Sequence, residues 1–144
     1  MISGQVEQPW FPDIAADDKG NVHVVWNGPI ATGLRAYGSQ ELGALYSSRL
    51  TSGRWEPPKD IALIYIGHAL RSSVITDQTG RLHLVHKGFG DLRPEVLSAA
   101  GLGPEDIWYT SMATSNSGVP RSWRERKRLS GSWQGYFSDL AVDS

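Results

Sequence analysis

Cysteine is absent from the 144-residue chain, which excludes disulfide bridges and thiolate metal ligands. Long apolar runs are also missing, because no stretch approaches the roughly 18 residues of a membrane-spanning helix. The first residues have neither the basic nor the apolar region of a secretory signal. A formal net charge of −1 gives no overall attraction for nucleic acid or acidic membranes. We therefore expect neither nucleic acid nor membrane as a partner, and the compartment stays open.

The composition is that of a globular chain rich in strands and turns. Hydrophobic residues make up 40% and charged residues 20% of the sequence, which is typical of a folded domain. Six Trp and 16 Gly stand beside only two Met. No P-loop or dinucleotide fingerprint is present, so no nucleotide cofactor is expected.

An internal repeat dominates the sequence. The phrase FPDIAADDKGNVHVVWNG at 11–28 returns as RSSVITDQTGRLHLVHKG at 71–88, and Asp17 matches Asp77 at a spacing of 60 residues. A partial third copy, FSDLAVDS, occupies 137–144. Repetition in register indicates successive copies of one structural unit.

The sequence of each copy predicts four strands. Short stretches rich in β-branched residues alternate with Gly, Asp, Asn and Ser, which is the pattern of strands joined by turns. Prolines in the fourth stretch suit only an outer edge strand. We match Tyr46 with Tyr109 and Trp55 with Trp123 between the copies. The predicted strands are 11–16, 22–26, 44–50 and 54–61 in the first copy, and 72–77, 81–86, 106–112 and 122–129 in the second.

A unit of four strands cannot bury both of its faces, so such repeats gain stability by stacking against neighbours. The predicted fold class is all-β, with the four-stranded antiparallel blades of a β-propeller in an incomplete ring. A β-sandwich is the alternative, but it does not predict the same phrase recurring in register. The predicted organisation is a partial propeller over 1–144, with blade 1 at 10–62, blade 2 at 70–130 and the first strand of a third blade at 136–144.

The repeat resembles that of sialidase-like propellers with bacterial neuraminidase repeats. The resemblance is carried by D-x-x-G-x-x-H-x-V-W, by the Tyr-x-S strand end and by the Gly turn before a Trp, and it covers nearly the whole chain. The Asp box of that family, roughly Ser-x-Asp-x-Gly-x-Thr-Trp, is degenerate, because SSRLTSGRW and TSMATSNSGVPRSW have no Asp in the turn. The resemblance implies a carbohydrate ligand and an extracellular location.

The resemblance also implies where a ligand would bind. In such blades the loops from strand two to strand three, and from the outer strand to the next blade, lie on one face. The longest loops, 28–43 and 88–105, are of the first type, and long loops in compact domains are often functional. Thirteen residues are candidates, of which all except Gln40, Asp91 and Glu95 are predicted ligand contacts: Trp10, Arg35, Tyr37, Gln40, Glu41, Tyr65, His68, Arg71, Asp91, Arg93, Glu95, Trp133 and Tyr136.

Aromatic faces with Arg and carboxylate groups suit a sugar site, although packing the inner rim is the alternative role for each aromatic residue. Enzymatic sialidases bind the sugar carboxylate with three arginines and use a Tyr nucleophile backed by Glu, with an Asp as acid/base. Their Phe/Tyr-Arg-Ile-Pro signature has no counterpart here, since FPDI at 11–14 lacks the Arg. No catalytic residue is predicted.

Recurring polar residues have structural explanations. His23 and His83 recur in register within a strand, and we expect interface residues with satisfied hydrogen bonds, not metal ligands. Asp17, Asp77 and Asp143 sit at turns, where we expect them to bond the backbone. The basic stretch RSWRERKR at 121–128 is expected to form an exposed outer strand whose charges guard a sheet edge.

Three functions follow from these patterns. The first is a non-catalytic, sialidase-like binding or interaction module for glycans. The second is part of an exo-sialidase-like glycoside hydrolase whose site is completed by missing blades or other chains. The third is a purely structural repeat. The expected partners are a glycan, and either copies of the chain itself or the blades of a longer parent chain, with no cofactor and no metal.

Overall fold

The computed structural model describes residues 10–29, 42–65, 72–88, 106–123, 126–130 and 139–142. Within these ranges the chain is all-β apart from two 3-10 turns, Thr114–Asn116 and Pro120–Trp123. Its antiparallel strands form two sheets, one from each copy of the repeat. No helix in the described part is long and apolar enough to cross a membrane.

The first sheet, which we call the first unit, has the order β1-β2-β3, with β4 and β5 both paired with β3. The strands predicted at 11–16, 22–26 and 44–50 are confirmed, each slightly longer than expected. The strands are β1 (Trp10–Ala16), β2 (Val22–Pro29), β3 (Leu42–Thr51), β4 (Arg54–Trp55) and β5 (Lys59–Tyr65).

The outer strand of the first unit is interrupted. β4 pairs with the end of β3 at Leu50 and Thr51, whereas β5 pairs with residues 42–47 of the same strand. One continuous strand over 54–61 was therefore wrong at residues 56–58. Pro57 and Pro58 have no N–H to donate to a neighbouring strand, which explains both the break and the edge position.

The second unit has the order β6-β7-β8-β9. The predicted strands 72–77, 81–86 and 106–112 are confirmed within one or two residues, but the strand predicted at 122–129 is wrong at residues 122–123, 126 and 129 and is a strand only at 127–128 among its described residues. Pro120–Trp123 forms a 3-10 turn, and the Trp123 indole Nε1 donates to the Ser117 carbonyl at 2.8 Å, which holds this segment out of the sheet. The strands are β6 (Ser73–Thr76), β7 (Arg81–Gly88), β8 (Asp106–Ala113) and β9 (Lys127–Arg128).

The strand register corrects one match between the copies. Trp26 lies opposite Tyr46, and its counterpart His86 lies opposite Trp108. Tyr46 therefore corresponds to Trp108, and the match with Tyr109 was one residue out of register. Since successive side chains of a strand point to opposite faces, this shift places Tyr109 on the other face of its sheet.

The hairpin turns of the two units are the same. Asp17 N–H donates to the Asn21 carbonyl and Gly20 N–H to the Asp17 carbonyl, and Asp77, Gly80 and Arg81 repeat both bonds. Gly20 and Gly80 have φ of 75°, the left-handed conformation that closes a three-residue hairpin loop with a bulge. The repeated Asp-x-x-Gly phrase is thus a repeated turn.

The hydrophobic core lies between the two sheets. It joins Val25 of β2 to Leu82 and Leu84 of β7, together with Ala15, Ile61, Val74, Met112 and Trp123. Val25 matches Val85 in the repeat, and Leu84 matches Val24. The two sheets therefore meet through non-equivalent faces, because each unit buries a different face of the repeated sheet.

Hydrogen bonds connect the first strands of the two units. Asp13 Oδ2 accepts from the Val74 N–H at 2.7 Å, and Thr76 Oγ1 donates to the Ala16 carbonyl at 2.5 Å. β1 and β6 consequently lie side by side and run in the same direction. Further along the junction, the Arg49 guanidinium donates to the carbonyls of Thr114 and Ser115 at 3.4 and 3.3 Å.

The partial third copy also contacts β6. Ser73 Oγ donates to Asp139 Oδ1 at 2.8 Å. Ser73 occupies the repeat position of Asp13, so this position bonds the following copy at both junctions, although its partner is a backbone N–H at the first and a carboxylate at the second. Residues 139–142 have no assigned strand, and the remainder of the strand predicted at 136–144 lies outside the described residues.

Candidate functional site

The segments predicted to carry ligand contacts leave from one end of the first sheet. Trp10 at the start of β1 lies opposite Asn27 near the end of β2. Leu42 at the start of β3 lies opposite Tyr65 at the end of β5. The chain therefore leaves the sheet towards residues 30–41 and returns from them at this end.

The second sheet repeats this arrangement. Gly88 at the end of β7 lies opposite Asp106 at the start of β8, and β6 begins at the same end. Because β1 and β6 run in the same direction, the corresponding ends of both sheets face the same way. We call this the loop end and take it as the candidate functional site.

Two of the predicted ligand contacts lie in the described part of the chain. Trp10 is half-buried at the start of β1, and the backbone of Tyr65 lies at the same end of the sheet. The other predicted residues lie outside the described residues, and their prediction remains as it stands: Arg35, Tyr37, Gln40, Glu41, His68, Arg71, Asp91, Arg93, Glu95, Trp133 and Tyr136.

Phe11 is a loop-end residue that the sequence did not suggest. Its side chain is 46% exposed, and its φ of 50° is rare for a residue with a large side chain. The strand register shifts between Trp10 and Asp13, so a β-bulge presents Phe11 outward. Bulges and strained backbone are frequent beside binding sites. An exposed phenyl ring next to Trp10 gives the loop end two aromatic groups.

Polar side chains near the loop end are buried. Asn27 and Lys87 occupy the same repeat position and are both inaccessible to solvent. The neighbouring His86 is fully buried, and its Nδ1 donates to the Lys87 carbonyl at 3.3 Å. Burial, together with the positive charge of Arg126, lowers the pKa of His86 to about 3, although the Lys87 carbonyl acts in the opposite direction. His86 is therefore neutral and part of the core between the sheets.

An Asp–His pair braces the hairpin of the first unit. Asp17 Oδ1 accepts from the N–H groups of Lys19 and Asn21 at 3.0 and 2.8 Å. Its Oδ2 lies 2.8 Å from Asn21 Nδ2 and 3.2 Å from His23 Nε2. Burial opposes ionisation, but these hydrogen bonds from Asn21, His23 and Lys19 prevail and hold the pKa of Asp17 well below its ordinary value. The carboxylate is ionised and can only accept, so His23 Nε2 carries the proton.

The second unit repeats this pair and adds a phenol. His83 Nε2 lies 3.0 Å from Asp77 Oδ2, and His83 Nδ1 lies 2.8 Å from the Tyr109 hydroxyl. The N–H of Arg81, then His83, then Thr79 lower the pKa of Asp77 by hydrogen bonding. In the neutral ring, Nδ1 accepts from Tyr109 while Nε2 donates to Asp77. This connectivity resembles that of a catalytic triad, but its Asp–His half also exists in the first unit, where it is buried and structural.

These contacts confirm that the turn aspartates bond the backbone, whereas the prediction of interface histidines with satisfied hydrogen bonds is wrong, because the buried Nδ1 of His23 has no partner among the described residues and His83 is 21% exposed. Asp17 and Asp77 bond the backbone of their turns, whereas Asp143 lies outside the described residues. His23 and His83 each bond the Asp of their own unit. In the part of the chain that the structure describes, no group of three or more His, Asp or Glu is arranged to hold a metal ion.

The basic stretch at 121–128 divides into two roles. Lys127 and Arg128 form the exposed edge strand β9, as predicted. Arg126 instead turns inward and donates to the carbonyls of Trp123 and of Ile61 in the first unit. The exposed outer strand expected over 121–128 is thus wrong at Arg126, whose guanidinium bonds a carbonyl of the other sheet.

The described part of the chain is all-β, with two antiparallel sheets that share one hydrophobic core. In comparison with known proteins, no protein-family model matches the chain, and no curated protein sequence matches it significantly.

Proposed function

We propose that the chain is a non-catalytic segment of stacked, β-propeller-type repeats and acts as a binding module that offers its loop end to a carbohydrate. The observation that supports this most directly is the serial junction between the units. Position 13 of the first unit bonds the first strand of the second, and Ser73, at the same repeat position, bonds Asp139. Position 13 of the repeat therefore bonds the following copy in both cases, to a backbone N–H in the first and to a carboxylate in the second.

The core supports stacking over a sandwich. Val25 of one unit shares a core with the face that carries Leu84 in the other, so the two units bury non-equivalent faces of the repeated sheet. Leu84 corresponds to Val24, on the opposite face from Val25. A sheet with two different contact faces can continue into further units, which is how propeller blades and other repeats bury their surfaces.

The loop end supports ligand binding. Both long segments between the second and third strands leave from it, and the aromatic residues Trp10 and Phe11 lie at its edge. Flat aromatic faces pack against the C–H surface of a sugar ring. Carbohydrate as the ligand class rests on these groups together with the family resemblance of the repeat.

Glycan-array binding, together with hydrolysis of a fluorogenic sialoside, tests the proposal. We expect binding of at least one oligosaccharide without turnover of the sialoside. Trp10→Ala should weaken that binding about tenfold, because the sugar loses an aromatic face. Leu129→Ala, at an exposed position after the edge strand β9, is the matched control and should bind like the unaltered chain.

Each other outcome contradicts the proposal in a defined way. Turnover that disappears in Arg71→Ala would identify a glycoside hydrolase. Absence of both binding and turnover would leave a purely structural repeat.

A further inference from the structure

The backbone of Phe11 is strained. Its φ of 50° lies in the left-handed region, which a residue with a large side chain rarely adopts and which Gly adopts without steric penalty. The next residue is Pro12, and a proline restricts the residue before it to extended conformations. Phe11 therefore has a conformation that both its own side chain and its neighbour in the chain oppose.

A bulge in β1 produces this conformation. The register shifts between Trp10 and Asp13, because two residues of β1 lie there opposite one residue of β2. Those two residues are Phe11 and Pro12, and Pro12 has no N–H to lose from the strand pairing. The bulge leaves 46% of the Phe11 side chain exposed at the loop end. The stability of the fold alone therefore does not account for a large aromatic residue at a position that suits Gly.

We propose that Phe11 is a ligand-contact residue, whose ring packs against the C–H face of a β-galactoside at the loop end. This inference rests on the proposed function and names the class of sugar that the loop end binds. The bulge fixes the direction of the ring before the ligand arrives, which lowers the entropy lost on binding.

The surface of β1 beside Phe11 defines the group that packs on the ring. Trp10 is half-buried and Pro12 is exposed, and neither carries a charge. The carboxylate of Asp13 is bonded to the neighbouring strand, where its Oδ2 accepts from the Val74 N–H. This stretch of β1 is therefore apolar and suits an uncharged C–H surface. Galactose presents several adjacent C–H groups on one side of its ring, which is the surface that an aromatic face accommodates.

Thermal unfolding of Phe11→Gly and Phe11→Ala tests the backbone strain. Gly in a strand is ordinarily less stable than Ala, but at a left-handed position the order reverses. We expect the midpoint of Phe11→Gly to lie about 3 °C above that of Phe11→Ala. Ala16→Gly, at an exposed position of the same strand without positive φ, is the matched control and should lower the midpoint. A midpoint of Phe11→Gly at or below that of Phe11→Ala would overturn the inference.

Titration with lactose, followed by intrinsic tryptophan fluorescence up to about 50 mM, tests the ligand, because that range covers weak binding. We expect saturable binding by the unaltered chain, an affinity about fivefold lower for Phe11→Ala, and an unchanged affinity for Phe11→Tyr, which keeps the flat face. Phe11→Gly also lacks the ring and repeats the comparison with a relaxed backbone. Ile14→Ala removes another exposed apolar side chain of β1 and should bind like the unaltered chain. Circular dichroism of each variant controls for folding.

The outcomes separate this inference from the proposed function. Binding of another oligosaccharide on the glycan array but not of lactose would overturn the inference and leave the binding module standing. Equal lactose affinities of Phe11→Ala and the unaltered chain would do the same. If the unaltered chain binds no oligosaccharide at all, both proposals are wrong.

Discussion

The Asp–His pairs of the two units have the same local geometry and different surroundings. His23 Nε2 lies 3.2 Å from Asp17, and His83 Nε2 lies 3.0 Å from Asp77. The first pair is fully covered and adjoins Arg49 at the junction, whereas the second remains partly exposed and bonds Tyr109. The hairpin therefore forms within each unit, while its burial depends on what lies against the sheet.

The largest expected effect on the free energy of unfolding is a difference between Trp123 and Trp55, which were matched in the repeat. Trp123 is completely buried with a hydrogen-bonded indole, and Trp55 is only half-buried in β4. Trp123→Ala should lower the free energy of unfolding by about 3–5 kcal/mol, and Trp55→Ala by about 1–2 kcal/mol. Urea unfolding followed by circular dichroism measures both. Equal losses would restore the equivalence of the two residues.

His86 should make folding stability depend on pH below its ordinary pKa. The unfolded chain takes up a proton near pH 6.5, whereas the buried imidazole does not until about pH 3. This contribution is therefore complete above pH 6.5 and is lost as the pH falls, at about 1.4 kcal/mol per pH unit.

His86→Leu should flatten this part of the profile, because the side chain no longer titrates. The residual slope should come mainly from His23, whose pKa is also lowered by burial despite the opposing charge of Asp17. Urea unfolding at a series of pH values between 4.5 and 7.5 provides the measurement. An unchanged slope in the variant would mean that His86 is solvated.

The two turn aspartates, Asp17 and Asp77, should differ in how much they stabilise the fold. Asp17→Ala should lower the free energy of unfolding by about 1–3 kcal/mol, because it leaves the buried His23 Nε2–H and turn N–H groups without their acceptor. Asp77→Ala should cost less, since water can replace the carboxylate at a partly exposed turn. Parallel urea titrations compare the two, and a larger loss for Asp77 would contradict the difference in burial.

The smallest expected loss of stability comes from the turn glycines, and it should be the same in both units. Gly20→Ala and Gly80→Ala should each cost about 1–2 kcal/mol, because both residues have φ of 75° while an added Cβ meets no atom within 4 Å. The penalty is local, so it does not depend on the neighbouring sheet. Unequal losses, measured by thermal unfolding, would show that one turn contacts a structure that the other does not.

Local chemistry made the turns and inner strands predictable. Asp followed three residues later by Gly favours a tight turn, and Asp17 and Asp77 were expected to bond the backbone that they do bond. The outer strands were less predictable, because proline and the buried Trp123 compete with strand pairing there. The strained backbone of Phe11 had no signal in the sequence at all.

Two copies of one antiparallel unit follow from the amino-acid sequence alone, since hydrophobic alternation and turn residues act over a few neighbours in the chain. Packing between the sheets sets which face of each sheet is buried, which of two matched residues is exposed, and where Tyr109 and Arg126 point. Those outcomes depend on a one-residue register and on contacts between residues about 60 apart. Such contacts follow from how the sheets fit together, and no local pattern encodes them.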